Sequence, residues 1–387
     1  MSIAFESKAP DWLAADAPSP PSPIDDDAIE EIVYCHGRNY DSYLATEAGR
    51  ETFWSSDGQG LVSLVRYGRY FKAGGGLIAP DERRAALLAE LTKWAEQRGL
   101  CLSFYNIDEE DLPLFRRQGF QATKLGEEAV IDLDDWNCRG KPFEWLRRQT
   151  NYGRRHGLRI VECVRPRMSP EEWQSVMAEL SHTSAAFLAA KPQSGELRFL
   201  DGTFDPERLG RQRIFAARAD GGLGRIECFL VCNPYLDGAG WAFEIYRQRP
   251  DAVRGAIPFL MRQVIGELKL EGARRVSLCL VPGMRCSEPM PGDSPLVRHA
   301  LTIGSRYFNF VFDTAGLYHF KSRFRPRFEP RYLCARPAVS LGSAWALVRL
   351  LGVVDFDAGK LARTLLRRYT IRRRRATLAR CSNLAAW

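Results

Sequence analysis

At 387 residues, 45% apolar and 26% charged, with 9 Trp and 21 Phe, the chain has material for two ordinary domains or one large one. That composition excludes a mostly disordered chain. The formal charge is +8, and the excess lies wholly at the C-terminal end: residues 341–387 hold ten Lys/Arg and two Asp, while residues 1–340 balance at 45 of each sign. The first 31 residues run the other way, with one Lys against eight Asp/Glu. A basic tail points to an anionic partner, either nucleic acid or lipid headgroups.

No stretch approaches the roughly 18 consecutive apolar residues of a spanning helix. The N-terminus is acidic and Pro-rich, without the apolar segment of a secretory signal. Ten cysteines are scattered with no CxxC pair, so buried reduced thiols are expected rather than zinc or a disulfide framework. The expectation is a soluble, cytosolic protein.

Residues 1–28 read as a flexible leader of Pro, Ser and Asp. Between Gly60 and Ile78 the alternation predicts strands joined by Gly turns, and the triple glycine Gly74–Gly76 reads as a turn, because no Lys-Ser/Thr follows it as in a phosphate loop. From Ala79 to Gly99, Leu87, Leu88, Leu91 and Trp94 recur at helical spacing. A strand at Leu100–Tyr105, a short helix at Asp108–Gln118 and a strand at Ala129–Leu133 complete a first α+β unit, taken as 29–137. The second unit is taken as 138–338. Pro142 opens a helix running to about His156 that carries Arg147, Arg148, Arg154 and Arg155. A strand (Leu158–Val164) and a helix opened by the capping pattern Ser169-Pro-Glu-Glu172 follow. Strands Arg213–Ala219 and Gly224–Cys232 form a predicted hairpin. Trp241–Tyr246, a helix at Ile257–Glu271 and Val276–Val281 make a βαβ unit. The two units share a mixed order, which suggests a duplicated fold. The tail, 339–387, contains a basic amphipathic helix with Leu361, Leu365, Leu366 and Tyr369 on one side.

Hydrolase and nucleotide signatures are missing: there is no GxSxG, HExxH, Walker lysine or GxGxxG. The five histidines (His36, His156, His182, His299, His319) make no metal spacing, and neither a metal nor a cofactor is expected. Two segments stand out. In Trp241-Ala-Phe-Glu244-Ile-Tyr-Arg247-Gln-Arg249, strand alternation places Glu244 and Tyr246 opposite Phe243 and gathers guanidiniums at the strand's end, together with Arg254 and Gly255. In 316–332, aromatics alternate with cations, a pattern suited to phosphate-bearing ligands.

At these residues the sequence resembles a family. Lys124-Leu-Gly126-Glu127-Glu128-Ala129 with Arg139-Gly140-Lys-Pro142 and Leu146-Arg147, then Glu244-Ile-Tyr-Arg247-Gln-Arg249-Pro-Asp-Ala252 and Gly255, then Phe320-Lys321-Ser-Arg323-Phe324-Arg-Pro326 and Glu329-Pro-Arg331-Tyr332, look like the C-terminal catalytic domain of aminoacyl-phosphatidylglycerol synthases. The likeness spans roughly 30–336 with the motifs in order. It implies a tandem of two acetyltransferase-like (GNAT) domains, with central mixed β-sheets flanked by helices. The implied activity moves an amino acid, lysine or similar, from aminoacyl-tRNA to a hydroxyl of phosphatidylglycerol or a related lipid. The family's carboxylate-x-x-Arg pair falls on Glu244 and Arg247, its lysine on Lys321. Here Glu244 stands where the family usually has Asp, and Arg254 where it usually has Asn. Many members carry an N-terminal membrane domain, and the expectation for this sequence is a standalone catalytic part working at the inner face of the cell membrane.

On this reading Glu244, Arg247 and Lys321 are catalytic, and Arg249, Arg254, Gly255, Arg323, Glu329, Arg331 and Tyr332 bind substrate. Arg147, Arg148, Arg154 and Arg155 bind tRNA phosphates, and the partners are aminoacyl-tRNA and an anionic phospholipid or membrane surface. Two other readings remain. One is an acyl-CoA-dependent GNAT enzyme, which the loop opposes, since Ala252 sits three before Gly255 where a Gln or Arg is needed. The other is a non-catalytic tRNA- or membrane-binding module.

Overall fold

Hydrogen bonding in the sheet shows how the chain is built. The computed structural model describes residues 26–190, 202–222, 224–307 and 314–350, so most of the leader and the amphipathic tail lie outside the described residues. The strands are β1 (Glu51–Trp54), β2 (Leu61–Tyr67), β3 (Tyr70–Ile78), β4 (Cys101–Asp108), β5 (Gln121–Asp132), β6 (Arg159–Cys163), β7 (Arg213–Arg218), β8 (Ile226–Tyr235), β9 (Gly240–Gln248), β10 (Arg275–Pro282) and β11 (Arg327–Arg336). They form one sheet in the order β1-β2-β3-β4-β11-β5-β10-β9-β8-β7-β6. Neighbours are antiparallel except β3 with β4 and β9 with β10. Each parallel pair is joined through a helix, α2 (Arg84–Gln97) in the first half and α6 (Ala256–Leu270) in the second.

The central strands are exchanged. β11, the last strand of the second half, pairs with β4 of the first, and β5 of the first pairs with β10 of the second. β11 and β5 meet along nine residue pairs, Arg327↔Val130 to Ala335↔Gln121, so neither half's sheet is continuous without the other.

Helices cover both faces. On one face α2 and α3 (Leu112–Arg117) bury Leu87, Leu88, Leu91, Leu112 and Phe115, and α4 (Glu144–Arg155) and α6 bury Leu146, Leu260, Val264 and Leu268. The alternation of β11 joins these cores: Phe328, Tyr332 and Cys334 face them, while Leu333 faces the other side. The second face carries α1 (Asp26–His36), α5 (Pro170–Ala190), α7 (Pro295–Tyr307) and α9 (Leu341–Leu350). The expected amphipathic patterns account for α2 and α6, whose predicted apolar sides are buried apart from a half-buried Trp94. The predicted cap of α5 is also present: Ser169 N donates to Glu172 Oε2 at 2.8 Å and Glu172 N to Ser169 Oγ at 3.2 Å. Among the described residues seven of nine cysteines are buried and none is in a disulfide.

Candidate active site

The functional geometry begins where β9 and β10 part. Their parallel pairing lasts only from Gly240↔Arg275 to Ala242↔Ser277. Beyond it, β9 bulges against β8: Cys232 faces Phe243 and Val231 faces Ile245, leaving Glu244 as the extra residue. The bulge reverses the alternation expected from the sequence. Tyr246 returns to the core that holds Phe243, and Ile245 goes to the opposite one. Glu244 and Tyr246 therefore do not share a face. β10 carries its own irregularity between Ser277 and Leu280, with Cys279 in the left-handed region at φ 63°.

Three side chains meet in this opening. Glu244 Oε1 accepts the Gly202 amide at 3.1 Å, and the Cys279 thiol lies 3.6 Å from Glu244 Oε2. Lys321 reaches in from α8 (Thr314–Ser322) and donates to the carbonyls of Cys279 at 3.1 Å and Leu280 at 2.9 Å. Only 3% of Lys321 is exposed, so its ammonium is held in the gap by backbone oxygens that the irregular strand turns inward. Phe320 beside it stacks on Tyr246 with centroids 6.1 Å apart. Arg247 is also buried, but it turns toward α5 and donates to Ser184 Oγ.

The first half has a matching opening, and the chain fills it. β3 and β4 pair from Tyr70↔Cys101 to Ala73↔Phe104 and then part. β4 bulges at Asn106, φ 60°, as β10 does at Cys279. Gly74–Gly76, expected as a turn, lies inside β3 instead, because the segment 39–42 crosses it. Ser42 Oγ donates to the Gly75 carbonyl at 2.9 Å, Asn39 Nδ2 to Asn106 O at 2.9 Å, and Asn106 Nδ2 to Asp41 Oδ2 at 2.8 Å. A Cβ on Gly75 would stand 2.9 Å from the Ser42 Cα. Burial raises the Asp41 carboxyl above its ordinary range.

This crossing segment also borders the second opening. Tyr40 packs with Tyr235, Ala242 and Cys279, and burial, followed by the neighbouring Asp41 charge, holds its phenol well above the ordinary value. Glu47 accepts the Thr203 amide at 2.7 Å, next to the Gly202 that binds Glu244. Sequence reasoning singled out neither Tyr40 nor Glu47. The only signal there is a short polar and aromatic run, Asn39-Tyr-Asp-Ser, between α1 and the first strand.

The remaining predicted residues separate into groups. Arg148, Arg154 and Arg155 line a cleft of 640 Å³ with Gln149, Asn151, Tyr152 and Arg254, beside the start of α6. Gly255 sits beside it at φ 78°, in the left-handed region that favours glycine. Arg147 is not in the cleft, since it turns back to the carbonyls of Gly140 at 2.6 Å and Cys138 at 3.3 Å. Arg249 donates to Asp251 at 3.3 Å. Arg323 bonds His319 at 2.9 Å and covers the Trp145 ring at 5.5 Å. Arg331 is buried at the strand exchange, with Nε 2.7 Å from Glu128 Oε2 and a further ion pair to Asp108. Glu329 accepts from Arg275 at 3.0 Å in the same network. Tyr332 packs in the core of the first half. Arg331, Glu329 and Tyr332 thus lie at the strand exchange and in the first-half core. Among the described residues no group of three His, Cys, Asp or Glu is placed to hold a metal.

Two parallel-strand openings, each reached through a strand-helix-strand unit and joined in one sheet, define a tandem of acetyltransferase-like (GNAT) folds. Residues 31–335 match the family model described as phosphatidylglycerol lysyltransferase, C-terminal, and the chain belongs to that family. The phosphatidylglycerol lysyltransferase of Bacillus subtilis (strain 168) is 27% identical over 323 residues, covering 83% of this chain and 36% of the relative. Its counterpart from Staphylococcus aureus (strain COL) is 25% identical over 317 residues, covering 81% of this chain and 36% of the relative. The chain therefore spans about a third of the length of these curated relatives. The solved C-terminal domain of a putative lysylphosphatidylglycerol synthetase from Agrobacterium fabrum is 25% identical, with a TM-score of 0.68 over 85% of this chain and 95% of that one. The structure of L-PGS from Bacillus licheniformis is 24% identical, with a TM-score of 0.69 over 85% of this chain and 97% of that one, and shows the same fold.

Proposed function

We propose that this protein transfers an amino acid, lysine in the first instance, from aminoacyl-tRNA to a glycerol hydroxyl of phosphatidylglycerol. The observation that carries the reading is the asymmetry between the two openings. The first is filled by residues 39–42, whereas the second brings a carboxylate, Glu244, and a buried ammonium, Lys321, to the parting of β9 and β10. The relatives' names supply lysine and phosphatidylglycerol as the groups joined.

The reaction is a transesterification. The lipid hydroxyl oxygen attacks the aminoacyl ester carbon, the ester bond to the tRNA ribose breaks, and the proton of the attacking hydroxyl ends on the ribose oxygen. In this scheme Glu244 accepts that proton and passes it on, and Lys321 stabilises the oxyanion. Arg247 holds the bulge against α5 and so sets where Glu244 points. The cleft of Arg148, Arg154, Arg155 and Arg254 receives tRNA phosphates, a role suited to exposed guanidiniums. Among the described residues no helix is long and apolar enough to cross a membrane.

The test is transfer of labelled lysine from lysyl-tRNA to detergent-dispersed phosphatidylglycerol. Lys321→Ala and Glu244→Gln are each expected to lower kcat by about 10²–10³. Glu244→Asp, which restores the residue usual in the family, retains activity. Near wild-type turnover in both of the first two variants overturns the assignment.

A further inference from the structure

Five large apolar side chains stand in solvent among the described residues, Leu270, Leu296, Ile303, Leu341 and Trp345, and four of them belong to α7 and α9. Their spacing is helical. Leu296 and Ile303 lie two turns apart on α7, and Leu341 and Trp345 one turn apart on α9, so each helix presents an outward apolar stripe. The inward sides of the two helices meet in one cluster, where Val297 and Leu301 of α7 join Leu347 of α9 over Tyr105 and Leu333 of the sheet. Both helices therefore lie on the same face of the sheet.

Neither helix is a frayed end. Beneath α9, Ser343, Ala346 and Leu350 are buried, and Lys72 Nζ donates to Ser343 Oγ at 2.6 Å. The start of α7 is tied down by Ser294 N donating to Thr123 Oγ1 at 2.8 Å and by Arg298 paired with Asp293 at 2.6 Å. Trp345 is nevertheless 52% exposed and Leu341 76%.

We infer that the α7–α9 face seats the protein on an anionic lipid bilayer. Immediately after Leu350 the chain enters residues 351–387, which carry nine Lys/Arg against two Asp. An apolar face whose helix is followed in sequence by a run of cations matches a plane of anionic headgroups over hydrocarbon, and Trp is the side chain that favours that boundary. A second copy of the chain would cover the same apolar atoms only by bringing two such cationic segments together. The inference deepens the proposed function by naming the surface through which the lipid is reached, and it rests on that reading only for the choice of lipid.

The experiment is co-sedimentation of the full chain with phosphatidylglycerol-containing vesicles and with phosphatidylcholine vesicles, at about 0.1 M and about 0.5 M salt. The double variant Leu341→Ser/Trp345→Ser is compared with wild type after thermal melts confirm that both are folded. Wild type is expected to bind the anionic vesicles, with the double variant weaker by about tenfold or more at both salts. Transfer of lysine to detergent-dispersed phosphatidylglycerol should be unchanged. Equal sedimentation of variant and wild type overturns the inference. So does a fall in oligomer mass on substitution, which assigns the face to a second copy. Tighter vesicle binding after removal of 351–387 also overturns it, since that segment would then be what covers the face. Loss of vesicle binding in the variant, with no lysine transfer by wild type, would uphold the surface and defeat the transferase reading.

Discussion

Lys72 is a lysine at 1% exposure that donates to Ser103 Oγ at 3.1 Å and Ser343 Oγ at 2.6 Å. Burial lowers it from its ordinary 10.5 to about 8. A base whose folded value is depressed gives its stability above the unfolded value and loses it as pH falls through the folded one. Wild type should therefore gain stability relative to Lys72→Met as pH rises from about 8 to 10.5, and the difference should be flat below pH 8. Urea midpoints of the two proteins at matched pH values check this, and parallel curves would refute it. Lys72 carries no motif, so nothing in the sequence marks it. Glu244, Arg247 and Lys321, in contrast, stand out in the sequence because they fall on a family pattern. Arg147 illustrates the limit of that approach: it sits in a basic run with Arg148, yet one helical step turns it away from the cleft toward its own loop.

At the scale of the element, α2 and α6 followed from periodicity, because an amphipathic stripe of 3.6-residue period leaves little choice of which side is buried. By the same reading no helix is expected over α7, α8 or α9, and the first residues of α1 read as leader. The strands around the second opening did not follow from periodicity. One extra residue at Glu244 inverts the face of everything after it, and pairing with β8, not local sequence, creates that extra residue. Gly74–Gly76 shows the same dependence on a distant partner. Gly75→Ala should cost at least about 2 kcal/mol, from the positive φ of 80° and a clash with the Ser42 backbone that cannot swing aside. Gly68→Ala, at φ 56° with nothing within 4 Å, should cost only about 1 kcal/mol. Denaturant midpoints for the pair check the argument, and equal losses would show that the crossing segment is not packed as described.

Across the whole molecule the strand exchange governs cooperativity. Without β11, the edges of β4 and β5 that it joins would both be unpaired, and Tyr332 and Cys334 would be missing from the core of the first half. Residues 26–137 expressed alone should show no cooperative unfolding transition and should bind hydrophobic dyes, whereas co-expression with 138–350 restores one transition. A sharp transition in the fragment by itself would contradict this. The buried Arg331, paired with Glu128 and Asp108 across the exchanged strands, makes the junction selective, since losing either strand leaves charge buried without a partner. By itself the sequence determined the buried sides of α2 and α6, the hairpin of β7 and β8, the βαβ unit around α6, the duplicated order and the family, all of which rest on local periodicity or on short motifs. Only the tertiary structure decided which opening is filled, where Glu244 and Lys321 meet, and how the halves share strands. Those depend on hydrogen bonds between residues far apart in the chain, such as Ser42 with Gly75 and Lys321 with Leu280, and no local pattern encodes such a pairing.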